Sequence, residues 1–241
     1  MTAPLILVAG TGTGIGKTHV SAALLLAWAR ALAARGVVEP KLAGLKPVET
    51  GVTPGDSPLA LGADGDGATL ERLSTFHVKR FPAPYMLARA VSPHLAARDE
   101  GRLIERRVIS SYVAEVREAA TDGVLAELAG GLFSPLAPGV SNADIARDLG
   151  ADVLLLVACD RLGVLHDVGA TARAAAAAGV RITGIVLVAP ERPDASTGAN
   201  AQELPLVTDV PVLAVLPRGE VVALAERADL AAIVGALFER R

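Results

Sequence analysis

The residues best suited to chemistry lie in a glycine-rich loop near the amino end of the sequence. Residues 10–18 read GTGTGIGKT, between a short apolar run and a segment of helical composition. Glycines let successive backbone N–H groups face a polyphosphate, Lys17 reaches its terminal phosphates, and the Thr18 hydroxyl is a ligand for Mg²⁺. The pattern predicts a phosphate-binding loop one residue longer than the strict spacing, because Gly10 supplies the first glycine and Thr11 stands in its usual place.

A second lysine, Lys46, is also a candidate site residue. Only four of the 23 basic residues are lysines, and Lys46 ends an apolar run and opens the segment KPVETG at 46–51. A compact ammonium suits a site where charge moves between small groups, whereas arginine prefers a fixed bidentate partner. We therefore expect Lys46 to act in the site, with a solvated lysine at a strand end as the alternative.

Four acids are candidates for a Mg²⁺ site, which takes one or two carboxylates together with phosphate oxygens and water. Asp64 and Asp66 share a stretch rich in Gly, Pro and Asp, and the sequence does not decide between them. Glu127 ends a predicted strand and is favoured, because the glycines at 130–131 allow a nucleotide to approach closely. Asp160 ends another strand, but it is equally expected to cap a helix or face solvent.

Alternating strands and helices must position these groups. Continuous apolar runs indicate strands covered on both faces, so we expect an α/β fold of the P-loop NTPase type: a mostly parallel sheet with helices on both faces, in three α/β/α layers. Ligands then bind beyond the carboxyl ends of the strands. The predicted strands are residues 5–9, 42–46, 124–127, 153–158, 182–188 and 212–216, and the predicted helices are residues 17–35, 105–120, 166–178 and 220–240.

The composition narrows the classes of protein. The 241 residues are 51% hydrophobic but only 3% aromatic, and we expect them to form a single domain, residues 1–241. A net charge of −3 with no basic stripe argues against nucleic acid and anionic lipid as partners. No membrane span or secretory signal is predicted. The lone Cys159 excludes an internal disulfide and fits a reducing compartment, so a cytoplasmic location is expected.

Five motifs, in order and spacing, resemble the dethiobiotin synthetase family. They are the long phosphate loop, KPVETG at 46–51, SPH at 92–94, Glu127 with AGG at 129–131, and RLG at 161–163. The resemblance runs from the first predicted strand to the last. It implies an ATP- and Mg²⁺-dependent ligase of biotin biosynthesis. In that reaction one amine of 7,8-diaminopelargonate takes up CO₂ as a carbamate, the carbamate attacks the γ-phosphate of ATP, and the second amine closes the ring of dethiobiotin.

The resemblance also assigns roles to residues, and it implies a homodimer in which a helix N-terminus of one subunit meets the substrate carboxylate of the other. The catalytic residues it implies are Lys46, Lys17 and Thr13, and the metal ligands are Thr18, Asp66 and Glu127. The nucleotide-binding residues are Gly14, Ile15, Gly16, Lys17, Thr18, His19, Asp66, Glu127, Gly130, Val188, Ala189, Leu216, Pro217 and Arg218. The substrate-binding residues are Thr50, Ser92, Gly163, Val164 and Leu165.

Three departures from the family pattern carry consequences. Leu128 stands where many members have glycine, and His166 with Asp167 replaces a usual Asn-His pair. Members that read adenine use an asparagine after the fifth strand, and Val188 occupies that position here. A valine side chain neither donates nor accepts a hydrogen bond, so base recognition would fall to backbone groups near Val188, Ala189, Leu216, Pro217 and Arg218. The sequence therefore predicts a relaxed preference for the base.

Other functions compete with this interpretation. A partition or septum-site ATPase switch of the related P-loop group usually carries a second lysine early in the loop, and residues 11–13 have none. A cobyrinate-type amide synthetase normally adds a glutamine-hydrolysing domain, for which the chain is too short. A paralogue that binds nucleotide without turnover is disfavoured by the intact Lys17, Lys46, Asp66 and Glu127, although Leu128 and Val188 leave it open.

Overall fold

A computed structural model describes residues 2–52, 65–77 and 83–239, so Asp64 and the end of the predicted final helix lie outside the described residues. Strands and helices alternate along most of this chain. The elements are β1 (Leu5–Gly10), α1 (Lys17–Ala34), β2 (Leu42–Leu45), β3 (Val48–Thr50), α2 (Asp66–Leu73), β4 (Tyr85–Leu87), α3 (Pro93–Asp99), α4 (Arg106–Ala119), β5 (Gly123–Glu127), β6 (Pro135–Ala137), β7 (Val140–Ser141), α5 (Asn142–Leu149), β8 (Val153–Cys159), α6 (Val164–Ala177), β9 (Gly184–Val188), α7 (Asn200–Glu203), a 3₁₀ turn (Leu204–Leu206), β10 (Val212–Leu216), α8 (Val221–Leu224) and α9 (Ala228–Glu239).

Six parallel strands form the central sheet in the order β10-β9-β8-β1-β5-β2, which confirms the predicted parallel α/β fold. β1 lies near the middle, with Leu5 opposite Val124 of β5 and Ile6 opposite Val153 of β8. Because all six strands run the same way, their carboxyl ends share one edge of the sheet. The glycine-rich loop, Lys46 and Glu127 all lie at that edge.

The core consists of two apolar clusters, one on each face of the sheet. Alternate residues of a strand point to opposite faces. In β1, Leu5 and Leu7 pack into one cluster with residues of α4 and α6, whereas Ile6 and Val8 pack into the other with α1 and α9. Both faces of the sheet are therefore covered by helices, and this explains why the strands have continuous apolar runs.

The carboxyl-terminal segment differs from its prediction. The helix expected over residues 220–240 is two helices, α8 and α9, separated by residues 225–227. Arg227 holds this break: its guanidinium donates to the Val215 carbonyl at 3.2 Å and to Asp229 at 2.7 Å. No glycine or proline marks the break in the sequence, so only the tertiary contact to β10 reveals it.

Two stretches expected to interrupt the pattern contain short elements. The Gly/Pro/Asp-rich segment begins with β3, which pairs in parallel with β4, and it ends in the first turn of α2. The segment 189–208 contains α7 and the 3₁₀ turn. Helices α3 and α5 and the antiparallel pair β6–β7 were not predicted. Among the residues described, no helix combines the length and apolar character needed to cross a membrane.

Candidate functional site

The glycine-rich loop connects β1 to α1 and presents the start of that helix to the cavity. Gly16 precedes α1 with φ 93°, a left-handed conformation that favours glycine. It also packs closely against Val188, since a Cβ added at Gly16 would lie 3.1 Å from the valine Cγ1. The Lys17 ammonium donates to the Gly12 carbonyl at 2.8 Å, so the lysine folds back over its own loop.

Lys46 lies at the centre of a buried charged network and is only 8% exposed. Its ammonium donates to Glu127 Oε1 at 2.8 Å and is hydrogen-bonded to Asp66 Oδ2. The Thr18 hydroxyl donates to Glu127 Oε1 at 3.0 Å, and the Ser21 hydroxyl donates to Glu127 Oε2 at 2.9 Å. The alternative of a solvated lysine at a strand end is therefore wrong.

Burial and neighbouring charges shift the two lysines in opposite directions. Burial lowers the pKa of Lys17, and the positive charge of Lys46 adds to that effect. Burial also acts to lower the pKa of Lys46, but Glu127 and Asp66 outweigh it, and the pKa of Lys46 is raised. Burial disfavours the charged form of Asp66, yet Lys46 overcomes it and lowers the pKa of that carboxyl. Lys46 thus stays an ammonium and Asp66 a carboxylate.

These groups border a cavity of about 520 Å³, here called the lysine cavity. It extends from the phosphate loop past Lys46 to the start of α3. Twelve of the predicted site residues line this cavity. Two of them are predicted substrate contacts, Thr50 in β3 and Ser92 in the SPH motif. The twelve are Thr13, Gly14, Gly16, Lys17, Thr18, His19, Lys46, Thr50, Asp66, Ser92, Glu127 and Gly130.

A second cavity of about 340 Å³, here called the Val188 cavity, lies on the other side of the same loop. It shares Gly14, Gly16 and His19 with the lysine cavity. The predicted nucleotide-binding residues Ile15, Val188, Ala189 and Arg218 also line it, whereas Leu216 and Pro217 are not among its lining residues.

Several of the backbone groups predicted to read a base are engaged within the fold. The Val188 carbonyl accepts the Asp160 N–H at 2.8 Å, and the Ala189 N–H donates to the Leu216 carbonyl at 2.9 Å. Pro217 has no N–H to offer. The polar groups left on the wall include the side chains of Glu191 and Arg218, both on exposed residues.

The structure assigns Asp160 to a structural network. Its carboxylate accepts the Gly198 N–H at 2.8 Å and the Asn200 Nδ2 at 2.7 Å, and the residue is 2% exposed. It lines neither cavity. The expectation that Asp160 faces solvent or caps the next helix is therefore wrong, because its carboxylate binds Gly198 and Asn200.

Three predicted substrate contacts lie at the start of α6, outside both cavities: Gly163, Val164 and Leu165. The Val164 N–H already donates to the Arg161 carbonyl at 3.0 Å. Arg161 also pairs with Asp167 at 3.3 Å.

Leu128, which replaces a glycine of the family pattern, is 4% exposed and packs in the core. Its N–H donates to the Val8 carbonyl at 2.9 Å. The departure at this position thus adds apolar packing beneath the loop that follows Glu127.

Sequence reasoning missed several lining residues. Ser134 lines the lysine cavity and accepts the Gly131 N–H at 2.9 Å. Ser21 lines neither cavity but donates to Glu127, and it was detectable in principle, because it lies one helical turn after Thr18 on the same face of α1. The other missed lining residues have small or apolar side chains, or lie in loops that no motif marks: Ala90, Val91, Pro93, Ala129, Cys159, Pro190, Glu191 and Gly219.

The oxygen donors beside Lys46 fit a magnesium ion. Thr18, Asp66 and Glu127 supply one hydroxyl and two carboxylates, and all three line the same cavity. Mg²⁺ takes one or two carboxylates with phosphate oxygens and several waters, so it does not need a cage of protein ligands. Within the part of the chain that the structure describes, no three His, Cys, Asp or Glu residues form such a cage.

Structural comparison shows the fold. The septum site-determining protein MinD of Pyrococcus horikoshii, in complex with Mg-ADP, superimposes with a TM-score of 0.56 at 19% identity, covering 100% of this chain and 96% of that one. The cell division ATPase MinD of Pyrococcus furiosus gives a TM-score of 0.57 at 20% identity, covering 99% and 100%. At these identities the likeness extends to the P-loop ATPase architecture alone.

Sequence comparison is more specific. The model of an AAA domain family matches residues 5–225. The ATP-dependent dethiobiotin synthetase of Saccharopolyspora erythraea is 36% identical over 232 residues, which cover 94% of this chain and 93% of that protein. The ATP-dependent dethiobiotin synthetase of an Anaeromyxobacter species is 36% identical over 237 residues, covering 97% and 98%. The chain belongs to the family of ATP-dependent dethiobiotin synthetases.

Proposed function

We propose that this protein is a ligase of biotin biosynthesis that forms dethiobiotin from 7,8-diaminopelargonate, CO₂ and ATP, releasing ADP and phosphate. The observation that carries the proposal is the convergence of Lys17, Lys46, Asp66 and Glu127 in one cavity, in a chain of this family. One six-stranded sheet takes its strands from residues 5 to 216, which supports a single domain over residues 1–241.

The reaction creates and moves negative charge, which the two lysines can stabilise. An amine adds to CO₂ and releases a proton, giving a carbamate. A carbamate oxygen then attacks the γ-phosphorus of ATP and ADP leaves. Finally, the second amine attacks the carbonyl carbon, phosphate leaves, and the ring closes. Lys46 is held as an ammonium among carboxylates, so it is placed to stabilise the carbamate and the transferred phosphoryl group without moving a proton.

The remaining roles follow the placement of the residues. Lys17 and the N-terminus of α1 bind the phosphates of the nucleotide, and Thr13, Thr50 and Ser92 contact the substrates in the same cavity. Thr18, Asp66 and Glu127 would hold Mg²⁺, which neutralises phosphate charge when bound. The nucleotide base would occupy the Val188 cavity.

We further propose that the enzyme is a cytoplasmic homodimer. The start of α6 lies outside both cavities, as expected if it serves the site of a partner subunit. Leu162, immediately before it, is 75% exposed. A second subunit would give this apolar side chain a contact surface.

Mass spectrometry tests the activity directly. Incubation with 7,8-diaminopelargonate, isotopically labelled bicarbonate, Mg²⁺ and ATP is expected to give dethiobiotin with the label in its ring carbonyl. The Lys46→Ala variant serves as the negative control. Absence of product, with phosphate release stimulated instead by DNA or membranes, would favour an ATPase switch of the partition or septum-site type.

A further inference from the structure

Glu49 is a buried acid that the proposed reaction does not use. It belongs to β3, three residues after Lys46, and it is 6% exposed. A carboxylate this deeply buried needs hydrogen-bond partners to offset the loss of water. Its partners in this structure lie on a different element, at the first turn of α2.

Both carboxylate oxygens of Glu49 accept the Gly67 N–H, at 3.2 Å and 3.1 Å. The first N–H groups of a helix have no carbonyl one turn earlier to receive them. A side chain at the N-cap normally fills that role, but the N-cap of α2 is Gly65, which has none. Glu49 therefore caps α2 from the neighbouring strand.

The glycines on either side of Asp66 leave room for this contact. A Cβ added at Gly67 would lie 2.6 Å from Glu49 Oε2, and one added at Gly65 would lie 3.0 Å from Glu49 Oε1. The carboxylate thus rests directly against the backbone of residues 65–67. Asp66 is the single residue of these three with a side chain, and that side chain is bound by Lys46.

We infer that Glu49 is a positioning residue that fixes the first turn of α2 and thereby holds Asp66 in place as a magnesium ligand beside Lys46. The inference rests on the proposed function, because it concerns the metal of that site. One short segment, 46–49, supplies both the ammonium that pairs with the Asp66 carboxylate and the carboxylate that accepts the N–H of the next residue, Gly67. Outer-shell partners of this kind typically change metal affinity by about 10–100-fold.

Amide hydrogen exchange followed by mass spectrometry on the nucleotide-free protein tests the cap. Glu49→Ala is expected to accelerate exchange at the amides of Asp66 and Gly67. Glu49→Gln is expected to keep part of the protection, because its amide oxygen still accepts a hydrogen bond. The matched control is Asp122→Asn, since Asp122 accepts the Lys41 N–H at 2.8 Å at the opposite end of β2. Unchanged exchange at residues 66 and 67 in Glu49→Ala would overturn the inference.

Calorimetric binding of ADP, with and without Mg²⁺, tests the consequence for the metal. Glu49→Ala is expected to weaken ADP binding in the presence of Mg²⁺ by about tenfold or more, with a change of less than about twofold without Mg²⁺. Glu49→Gln should retain most of the affinity. An equal loss with and without Mg²⁺, or an equal loss in the Gln and Ala variants, would contradict positioning by hydrogen bonds.

Gly67→Ala provides a second variant should Glu49→Ala fail to fold. Alanine favours a helix over glycine by about 1 kcal/mol, so this change does not weaken α2 through propensity. Its Cβ instead displaces the Glu49 carboxylate, and the same Mg²⁺-specific loss is expected. Normal Mg²⁺ dependence in this variant would overturn the inference. These measurements use ADP and Mg²⁺ alone, so their outcome is separate from whether dethiobiotin forms.

Discussion

The lysine cavity and the Val188 cavity share the phosphate loop but hold their polar groups differently. In the lysine cavity, Lys46, Asp66 and Glu127 are tied to one another. In the Val188 cavity, the Val188 carbonyl and the Ala189 N–H are hydrogen-bonded within the fold, and Glu191 and Arg218 are exposed. Groups fixed before the reaction stabilise a transition state, whereas exposed side chains lose rotamer freedom when they bind. We therefore expect the reaction to depend strictly on the groups of the lysine cavity and to tolerate a change of the base.

The largest effect is expected for Lys46→Arg. Arginine keeps the charge, but its planar guanidinium does not fit where a compact ammonium contacts Asp66 and Glu127. We expect kcat for dethiobiotin formation to fall about 100-fold or more. Lys41→Arg is the matched control, because Lys41 is an exposed lysine at the other end of β2. Near-normal turnover of Lys46→Arg would show that Lys46 is peripheral.

Asp160→Ala is expected to reduce stability and spare the chemistry. The substitution leaves the Gly198 N–H without its acceptor and removes one acceptor of the Asn200 amide, which still donates to Ser196; such a loss destabilises by about 1–3 kcal/mol. Urea denaturation measures the change, with Asp209→Ala at an exposed site as the control. At saturating substrate, kcat should remain within about twofold of the parent, since Asp160 lines neither cavity. A large fall in kcat at unchanged stability would contradict this prediction, because it would show that Asp160 contributes to the chemistry.

Val188→Asn is expected to sharpen base recognition modestly. An amide on the wall of the Val188 cavity supplies the donor and acceptor that valine lacks. We expect the ratio of kcat/KM for ATP over CTP to rise several-fold, roughly 1 kcal/mol of discrimination. Val188→Ala adds no hydrogen-bonding group and should leave the ratio unchanged. A ratio unaffected in the Asn variant would place the base elsewhere.

The smallest effect concerns Asp194, which anchors the segment after the Val188 cavity. Hydrogen bonds from Ser196 and from the Leu162 N–H lower the pKa of Asp194 to about 2. A carboxyl whose pKa is lower in the folded state stabilises above its unfolded pKa, about 3.9, and loses this contribution as pH falls toward its folded pKa. The Tm difference between the parent and Asp194→Asn should therefore be constant near neutral pH and shrink between about pH 4 and pH 2. A difference that grows on acidification would contradict this.

Local patterns were sufficient to predict the central elements of the fold. The six sheet strands have continuous apolar runs, and α1 ends at Ala34, one residue before the predicted end, with Gly36 following at φ 78°. Helix α5 could have been predicted as well, because Ser141 and Asp144 form a capping box that the sequence contains. These features depend on neighbours within a few residues, so the sequence displays them.

Features that depend on distant contacts could not be predicted in the same way. The partners of Asp160 lie 38 and 40 residues away, and the break before α9 depends on the contact of Arg227 with Val215. The engagement of the Ala189 N–H requires the pairing of β9 with β10. Within the site, the motifs identified Lys46 and Glu127, but only the fold shows that one ammonium binds two carboxylates.

The most direct test of the contrast between the cavities is the initial rate of dethiobiotin formation with ATP, CTP and GTP at equal concentration. A site that reads its ligand through dedicated buried hydrogen bonds rejects an analogue by about 10⁴-fold. On the proposed function the base occupies the Val188 cavity, where Glu191 and Arg218 are exposed, so we expect the three rates to lie within about tenfold of one another. A large preference for ATP would contradict the account.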